Sequence, residues 1–141
     1  MQRGFSLPEV VLVLVVIAAL LGVTAPRLTR WHDRHIVRRA AQEVGVFYQV
    51  ARYRAVMRSA RVRVEFAADT LRAFVEGVTD SLVLRWPGPA RFGVGLTASR
   101  TRIRVGPNGV GYGAANTRLV LQRGDAADTL TTSRLGRLKR W

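Results

Sequence analysis

Cysteine is missing from the chain, and histidine occurs only at His32 and His35. Without cysteine, the sequence offers no disulfide framework, no thiolate metal site and no cysteine nucleophile. The two histidines lack a third metal ligand nearby, so we predict neither a metal site nor any other cofactor. The 9 acidic residues are spread singly, without paired carboxylates at a catalytic spacing or a Ser-His-Asp pattern. We therefore predict that the protein is not an enzyme.

Lysine is nearly absent as well, because all but one of the 23 basic side chains are arginine, and the exception is Lys139. Set against 9 acids, they give a net charge of +14. Such an excess predicts attraction to a polyanion, but the charge alone does not distinguish nucleic acid, anionic lipid head groups or an acidic partner. We expect the acids to pair with arginines, and we expect Asp125 and Asp128, beside a turn of small residues, to be solvated.

An apolar run near the N-terminus contains one charge, Glu9, between Phe5 and Pro26. As a helix rising about 1.5 Å per residue, this run is about 33 Å long, enough for a bilayer core of roughly 30 Å. Three interpretations compete: a cleaved signal peptide, a plain signal anchor, and a third that depends on the residues before the run. A signal peptidase cut after Val23-Thr24-Ala25 is disfavoured because Pro26 follows it.

The third interpretation starts from a basic leader, Met1-Gln2-Arg3-Gly4, followed by Phe5-Ser6-Leu7-Pro8-Glu9. This segment resembles the class III signal of type IV pilins and of type II secretion pseudopilins. The resemblance implies that prepilin peptidase cuts between Gly4 and Phe5 and methylates the new amino group of Phe5. It also implies a bacterial inner-membrane protein that crosses the membrane once, with its head in the periplasm or otherwise outside the cell membrane.

Two further residues gain a role from this resemblance. A carboxylate inside a bilayer is costly, and Glu9 is expected to pair with the amino group of a neighbouring subunit's Phe5 during fibre assembly. Pro26 is expected to kink the helix where it leaves the membrane.

The distribution of arginine predicts the opposite orientation in the membrane. Arginines at 27, 30, 34, 38 and 39 follow the span, and the positive-inside bias would place that side in the cytoplasm.

The helical pattern continues to about Ser59, without proline beyond Pro26. One face is predicted to pack against a sheet; it comprises Val37, Ala40, Ala41, Val44, Phe47, Tyr48, Ala51, Ala55 and Val56. An arginine stripe on another face is most simply a solvated surface; it comprises Arg27, Arg30, Arg34 and Arg38. We therefore predict a long helix that is a membrane anchor in its first half and amphipathic in its second.

The remainder alternates between apolar and polar residues in short segments typical of strands. Predicted strands are Val62–Phe66, Thr70–Glu76, Ser81–Trp86, Arg102–Val105, Arg118–Gln122 and Thr129–Thr132. Ala68-Asp69 is predicted to form a hairpin turn, and so is the glycine-rich segment 106–109. The predicted class is α+β: a pilin-like fold in which one long N-terminal helix packs on a small antiparallel sheet.

The predicted head carries a second resemblance, to the GspH/FimT family of minor pseudopilins and minor pilins. The segments that carry it are Ala51-Arg52, Ala55-Val56, Val62-Arg63-Val64, Ile103-Arg104-Val105, Pro107-Asn108-Gly109, Arg118–Gln122 and Ser133–Arg140. The predicted organisation is a leader at 1–4, an assembly helix at 5–26, an amphipathic helix at 27–59 and a β-rich head at 60–141.

Two functions remain open at this stage. The first is a structural subunit of a type II secretion pseudopilus, with prepilin peptidase and other pseudopilins as partners. The second is a minor pilin that binds double-stranded DNA during natural transformation through a basic C-terminus. Family members of the second kind carry a G-R-x-R motif, for which this chain has Gly136-Arg137-Leu138-Lys139. Candidate DNA contacts are Arg134, Arg137, Lys139 and Arg140, with Trp141 available for stacking. The alternatives are that these charges only solubilise a frayed terminus, or that arginine merely replaces lysine throughout the chain because of genome composition.

Overall fold

In a computed structural model, the protein is described over residues 6–113 and 115–141, with the side chains of 23–26 left out. The elements in chain order are α1 Leu7–Met57, β1 Val62–Phe66, β2 Thr70–Val75, β3 Ser81–Pro87, a 3-10 helix Pro89–Phe92, β4 Gly95–Ala98, β5 Arg102–Val105, β6 Gly111–Tyr112, β7 Thr117–Arg123, β8 Ala126–Thr132 and β9 Leu138–Arg140. Contacts divide the chain into two compact units, Met1–His32 and Asp33–Trp141.

The first unit contains the N-terminal part of α1. The carbonyl of Ser6 accepts bonds from the backbone N–H groups of Glu9 and Val10 at 3.0 and 3.2 Å, which starts the helix. Pro8 lies in the first turn, where its missing N–H costs little. Large apolar side chains from Val10 to Leu21 are exposed around the whole circumference. By length and composition, α1 is able to cross a membrane, with a mean hydropathy of 2.6 in its most apolar window.

Helical geometry continues through Pro26, and α1 ends at Met57, close to the predicted end. In the second unit the predicted apolar face is buried from Val37 to Ala55. Val56 is the exception, since its side chain is 45% exposed. Four of the buried helix positions are alanine, which allows the helix backbone to approach the sheets closely.

Five strands form one antiparallel sheet in the order β3-β2-β1-β5-β6. The β1–β2 hairpin closes at Ala68-Asp69 as predicted, with Phe66 opposite Leu71. Within β1 and β5 burial alternates strictly, so that every second residue enters the core. A bulge between Ala73 and Phe74 shifts the β2–β3 register by one residue.

The other four strands form a second antiparallel sheet in the order β4-β7-β8-β9. The sequence pattern did not predict the strands β4, β6 and β9 or the 3-10 helix. These segments are short and lack a clear alternation of apolar and polar residues. Both sheets share one hydrophobic core with the buried face of α1. Its largest fully buried side chains include Tyr48, Phe47, Leu71, Ile103, Leu119, Leu121 and Leu130. The α+β class, with one long helix on antiparallel sheets, is thus confirmed.

Candidate functional site

The sites predicted near the N-terminus are only partly within the described residues. Gly4 and Phe5, the predicted cleavage and methylation positions, lie outside them. Glu9 is exposed in the first turn of α1, where a negative charge also favours the helix N-terminus. Pro26 lies within α1, and a kink there stays a prediction.

The basic C-terminal segment is an ordered turn followed by a strand. Ser133 and Arg137 are joined by a backbone bond of 2.9 Å from Ser133 N to Arg137 O. The N–H of Gly136 donates to the carbonyl of Ser133 at 2.9 Å, and its φ of 74° is a left-handed conformation that favours glycine. Arg134 and Arg137 are both exposed on this turn. The two charges are therefore held by a folded turn rather than by a frayed terminus.

Beyond the turn, β9 pairs with β8 at the edge of the four-stranded sheet. Lys139 lies opposite Thr131 and Arg140 opposite Leu130, so the two cations point to opposite faces. The Lys139 ammonium lies 3.5 Å from the centre of the Trp141 ring. That ring is fixed by a bond of 3.2 Å from its Nε1 to the hydroxyl of Thr131. Lys139 and Trp141 thus form one exposed cation–aromatic pair.

Arg140 is paired with an acid of the neighbouring strand β8. Its Nε donates to Oδ2 of Asp128 at 2.7 Å, and a terminal nitrogen lies 2.5 Å from the same oxygen. The Asp128 side chain is only 7% exposed. The expectation that Asp128 is solvated was therefore wrong, because strand pairing of β9 brings a guanidinium over the carboxylate. Asp125 is exposed, as expected.

Arg52 connects three segments that are distant in sequence. Its Nε donates to the carbonyl of Gly109 at 2.8 Å. A β-carbon at Gly136 would lie 2.6 Å from that carbonyl oxygen and 2.7 Å from Arg52 Nε. The N–H of Gly111 donates to the carbonyl of Arg134 at 2.7 Å. Arg52 therefore anchors the glycine-rich turn after β5, and the Gly111–Arg134 bond joins that segment to the basic turn.

Sequence reasoning missed this role of Arg52, although Arg52 stood in a segment that carried the family resemblance. The available signal was its position on α1 between the buried Ala51 and Ala55. A long charged side chain beside such a face needs a partner for its head group. The partner itself, a backbone carbonyl 57 residues away, follows only from the fold.

A cleft of about 570 Å³ joins the stem of the second unit to its C-terminal strand. Its basic side chains are Arg34 and Arg38 from α1 and Arg140 from β9, and Trp141 also lines it. Arg34 and Arg38 are exposed and lie one turn apart, so two like charges face the same cleft. Asp125 and Asp128 line the same cleft and offset part of this positive charge, so the exposed cations that the cleft adds are Arg34 and Arg38.

Most acids of the second unit pair with arginine, as the sequence predicted. The pairs are Asp33–Arg123, Glu43–Arg39, Glu43–Arg91, Glu65–Arg63, Glu65–Arg102, Glu76–Arg104, Asp80–Arg63 and Asp128–Arg140. At Arg63, the hydrogen bond to Asp80 raises the pKa of the guanidinium above its ordinary value. Among the described residues, no group of three or more metal-ligating side chains occurs.

Three comparisons place this geometry among known proteins. A family model described as type II transport protein GspH matches residues 40–136. A crystal structure of the type IV minor pilin FimU from Pseudomonas aeruginosa aligns with a TM-score of 0.65 and 16% identity, over 77% of this chain and 90% of that chain. A second crystal form of FimU aligns with a TM-score of 0.62 and 16% identity, over 74% and 91% of the two chains. The comparison with curated proteins finds no match.

Proposed function

The chain belongs to the GspH family of minor pilins and pseudopilins, and on that premise we propose that it is a structural subunit of a type II secretion pseudopilus. The observation that carries the proposal is the first unit: a helix whose apolar side chains from Val10 to Leu21 are exposed on every side. Such a surface is stable only in lipid or against similar helices. Both surroundings exist for a subunit that waits in the membrane and then enters a fibre.

Processing by prepilin peptidase is the first step of this function. The leader through Gly4 is removed, Phe5 becomes the methylated N-terminus, and the head remains in the periplasm. Mass spectrometry of the purified chain should find a mature protein that begins at Phe5 and carries one added methyl group. Gly4→Val should leave the leader attached, whereas the matched variant Gln2→Ala should be processed normally. A mature chain that begins at any other residue contradicts the proposal.

Assembly into the fibre depends on Glu9. Its carboxylate lies in an apolar helix and needs a cationic partner when the helix is surrounded by other helices. The amino group of Phe5 in a neighbouring subunit is that partner in our proposal. Glu9→Gln keeps the shape but removes the charge, and it should remove the subunit from sheared fibres while leaving it in the membrane. Glu43→Gln, which alters an acid of the head, is the matched control and should assemble normally.

The geometry also supports a second candidate function, the binding of double-stranded DNA. Arg134 and Arg137 are exposed on an ordered turn, beside the Lys139–Trp141 pair and the cleft with Arg34 and Arg38. Guanidinium groups bind phosphate oxygens without regard to base sequence, and the affinity then falls steeply with salt. Lys139 supplies charge at the last motif position but lacks the bidentate fork of arginine.

Fluorescence anisotropy of a labelled duplex with the full-length protein in nonionic detergent tests this function. Arg137→Ala should weaken binding and reduce the slope of log affinity against log salt by about one. Arg58→Ala removes an exposed arginine at the end of α1 and should have a smaller effect. Arg140→Ala is a poor test because it leaves Asp128 buried without its partner. If the wild-type chain shows no salt-sensitive binding, the second function is excluded and the first is unaffected.

A further inference from the structure

The outer face of the five-stranded sheet carries a row of charged side chains. Strand register places Arg85 opposite Arg72, Arg72 opposite Glu65, and Glu65 opposite Arg102. Four strands spaced about 4.8 Å apart make this row about 14 Å long. Its two ends differ in charge balance. At one end Glu65 lies 3.2 Å from Arg102 and 3.3 Å from Arg63; at the other end, two arginines face each other.

Arg72 and Arg85 form an unbalanced pair. Like charges directly opposite on antiparallel strands destabilise a sheet. The arginines of the neighbouring strands on this face, Arg63, Arg102 and Arg104, each have a carboxylate within 3.3 Å. Within the described chain, no ion pair joins Arg72 or Arg85 to an acid, and both side chains are exposed. The fold therefore retains a pair of guanidinium groups that its own acids do not neutralise.

Apolar side chains lie beside this pair because of the bulge in the β2–β3 register. The bulge places Leu82 opposite Phe74, and Phe74 lies two residues from Arg72 on the same face. Leu82 is 51% exposed. The ring of Phe74 is covered in part by the Arg63 guanidinium at 5.0 Å from its centre. The result is a mixed surface of Arg72, Phe74, Leu82 and Arg85, which we call the arginine–leucine patch.

We propose that the arginine–leucine patch docks a partner protein whose contacting surface presents two carboxylates beside an apolar side chain. Arginine and aromatic residues are enriched at the centre of protein interfaces, and a guanidinium binds a carboxylate through two parallel hydrogen bonds. The proposal is independent of the secretion and DNA functions above, because it requires only a protein neighbour of the stated chemistry.

Nucleic acid fits this face poorly. A duplex needs a track of several unneutralised cations, whereas the row across the four strands offers two, and the face also presents Glu65, Glu76 and Asp80. A second copy of the chain also fits poorly, because the net charge of +14 opposes self-association. The partner is therefore a different, acidic protein.

The test uses the full-length protein in nonionic detergent, labelled with nitrogen-15, and a short acidic peptide as the probe. The peptide has the sequence leucine-glutamate-glutamate-leucine with blocked ends, and its glutamine analogue is the control ligand. The glutamate peptide should shift the side-chain Nε–H resonances of Arg72 and Arg85, and the glutamine analogue should not. Failure of the glutamate peptide to shift either resonance overturns the proposal. So does a duplex oligonucleotide that shifts both at a lower concentration.

Variants separate a docking role from a structural one. Arg72→Gln and Arg85→Gln should each weaken peptide binding about tenfold. Each should also raise the thermal midpoint by about 1 to 3 °C, since the repulsion is relieved. The matched control is Arg118→Gln, an exposed arginine of the other sheet that faces Thr131, which should change neither quantity. Equal weakening by all three variants, or a lower midpoint for Arg85→Gln, would overturn the proposal.

Discussion

The two halves of α1 have the same backbone and opposite surfaces. Up to His32 the helix belongs to the first unit, and large apolar side chains such as Leu14 and Ile17 are 60% and 46% exposed. From Asp33 onward it belongs to the second unit, where Phe47 and Ala51 are fully buried and the other faces carry arginines together with exposed Val46 and Tyr53. One helix therefore combines a segment suited to an apolar environment with a segment suited to packing in a head surrounded by water.

The difference lies in how each half obtains its stability. The second half is stabilised by an apolar face against two sheets, and the polar faces only need to be soluble. From Val10 to Leu21 the first half is apolar all round and its side chains are exposed, so this segment needs lipid or other helices around it. A substitution should consequently act on membrane insertion in one half and on folding of the head in the other.

The largest effect is expected from charge placed in the first half. The double variant Leu14→Arg and Ile17→Arg introduces two arginines near the middle of the proposed span, at a cost of about 5 to 7 kcal/mol in insertion. Carbonate extraction of membranes should find this variant largely in the soluble fraction. The pair Leu14→Ala and Ile17→Ala keeps the span apolar and should remain with the membrane.

An arginine introduced into the second half should not affect membrane insertion. Gln49 is exposed on the amphipathic part of α1, and Gln49→Arg should leave membrane fractionation unchanged. If Gln49→Arg released the chain as efficiently as the double variant, the contrast between the two halves would be lost.

A smaller effect is expected from removing a buried side chain of the second half. Phe47 is fully buried, and its ring centre lies 5.6 Å from that of Trp86. Phe47→Ala should lower the free energy of unfolding of the head by about 3 to 5 kcal/mol. Urea unfolding of the full chain in nonionic detergent, followed by tryptophan fluorescence, measures this change. Leu14→Ala removes a similar volume from the first half and should leave the midpoint where it is.

Much of the fold could be predicted because it follows from periodicity. The buried helix face and the strands Val62–Phe66 and Arg102–Val105 were predicted at their observed residues, since their apolar spacing is regular. The strands β4, β6 and β9 were not, because their residues lack the regular alternation that β5 shows. Their existence depends on neighbouring strands that provide the hydrogen bonds, and this pairing is not local in sequence.

The candidate site also has features that the sequence predicts and features that it does not. Arg134 and Arg137 were identified as basic side chains near a glycine, and the structure gives them an ordered turn. What could not be predicted were partners set by tertiary contacts: Asp128 for Arg140 and the carbonyl of Gly109 for Arg52. Sequence spacing gives no distance between groups that are brought together by a sheet edge.

The smallest effect concerns a hydroxyl on the buried face of the second half. Burial raises the pKa of Tyr48 above its ordinary value of 10.0, and the charge of Arg52 offsets part of that rise. The unfolded chain therefore ionises Tyr48 at a lower pH than the folded chain does. The stability that follows is fully present below about pH 10 and is lost as the pH rises through the folded pKa.

Tyr48→Phe should accordingly flatten the fall in stability above about pH 10, by about 1.4 kcal/mol for each unit of the raised pKa. Thermal midpoints of the full chain in nonionic detergent, measured from pH 8 to pH 11, test this expectation. Tyr53 lies on the same half of α1 but is 61% exposed, so Tyr53→Phe should keep the wild-type slope. If both variants reduce the fall in thermal midpoint with pH equally, burial of Tyr48 is not the cause of that fall. The contrast between the buried and exposed faces of the second half would then not hold for the tyrosine hydroxyls.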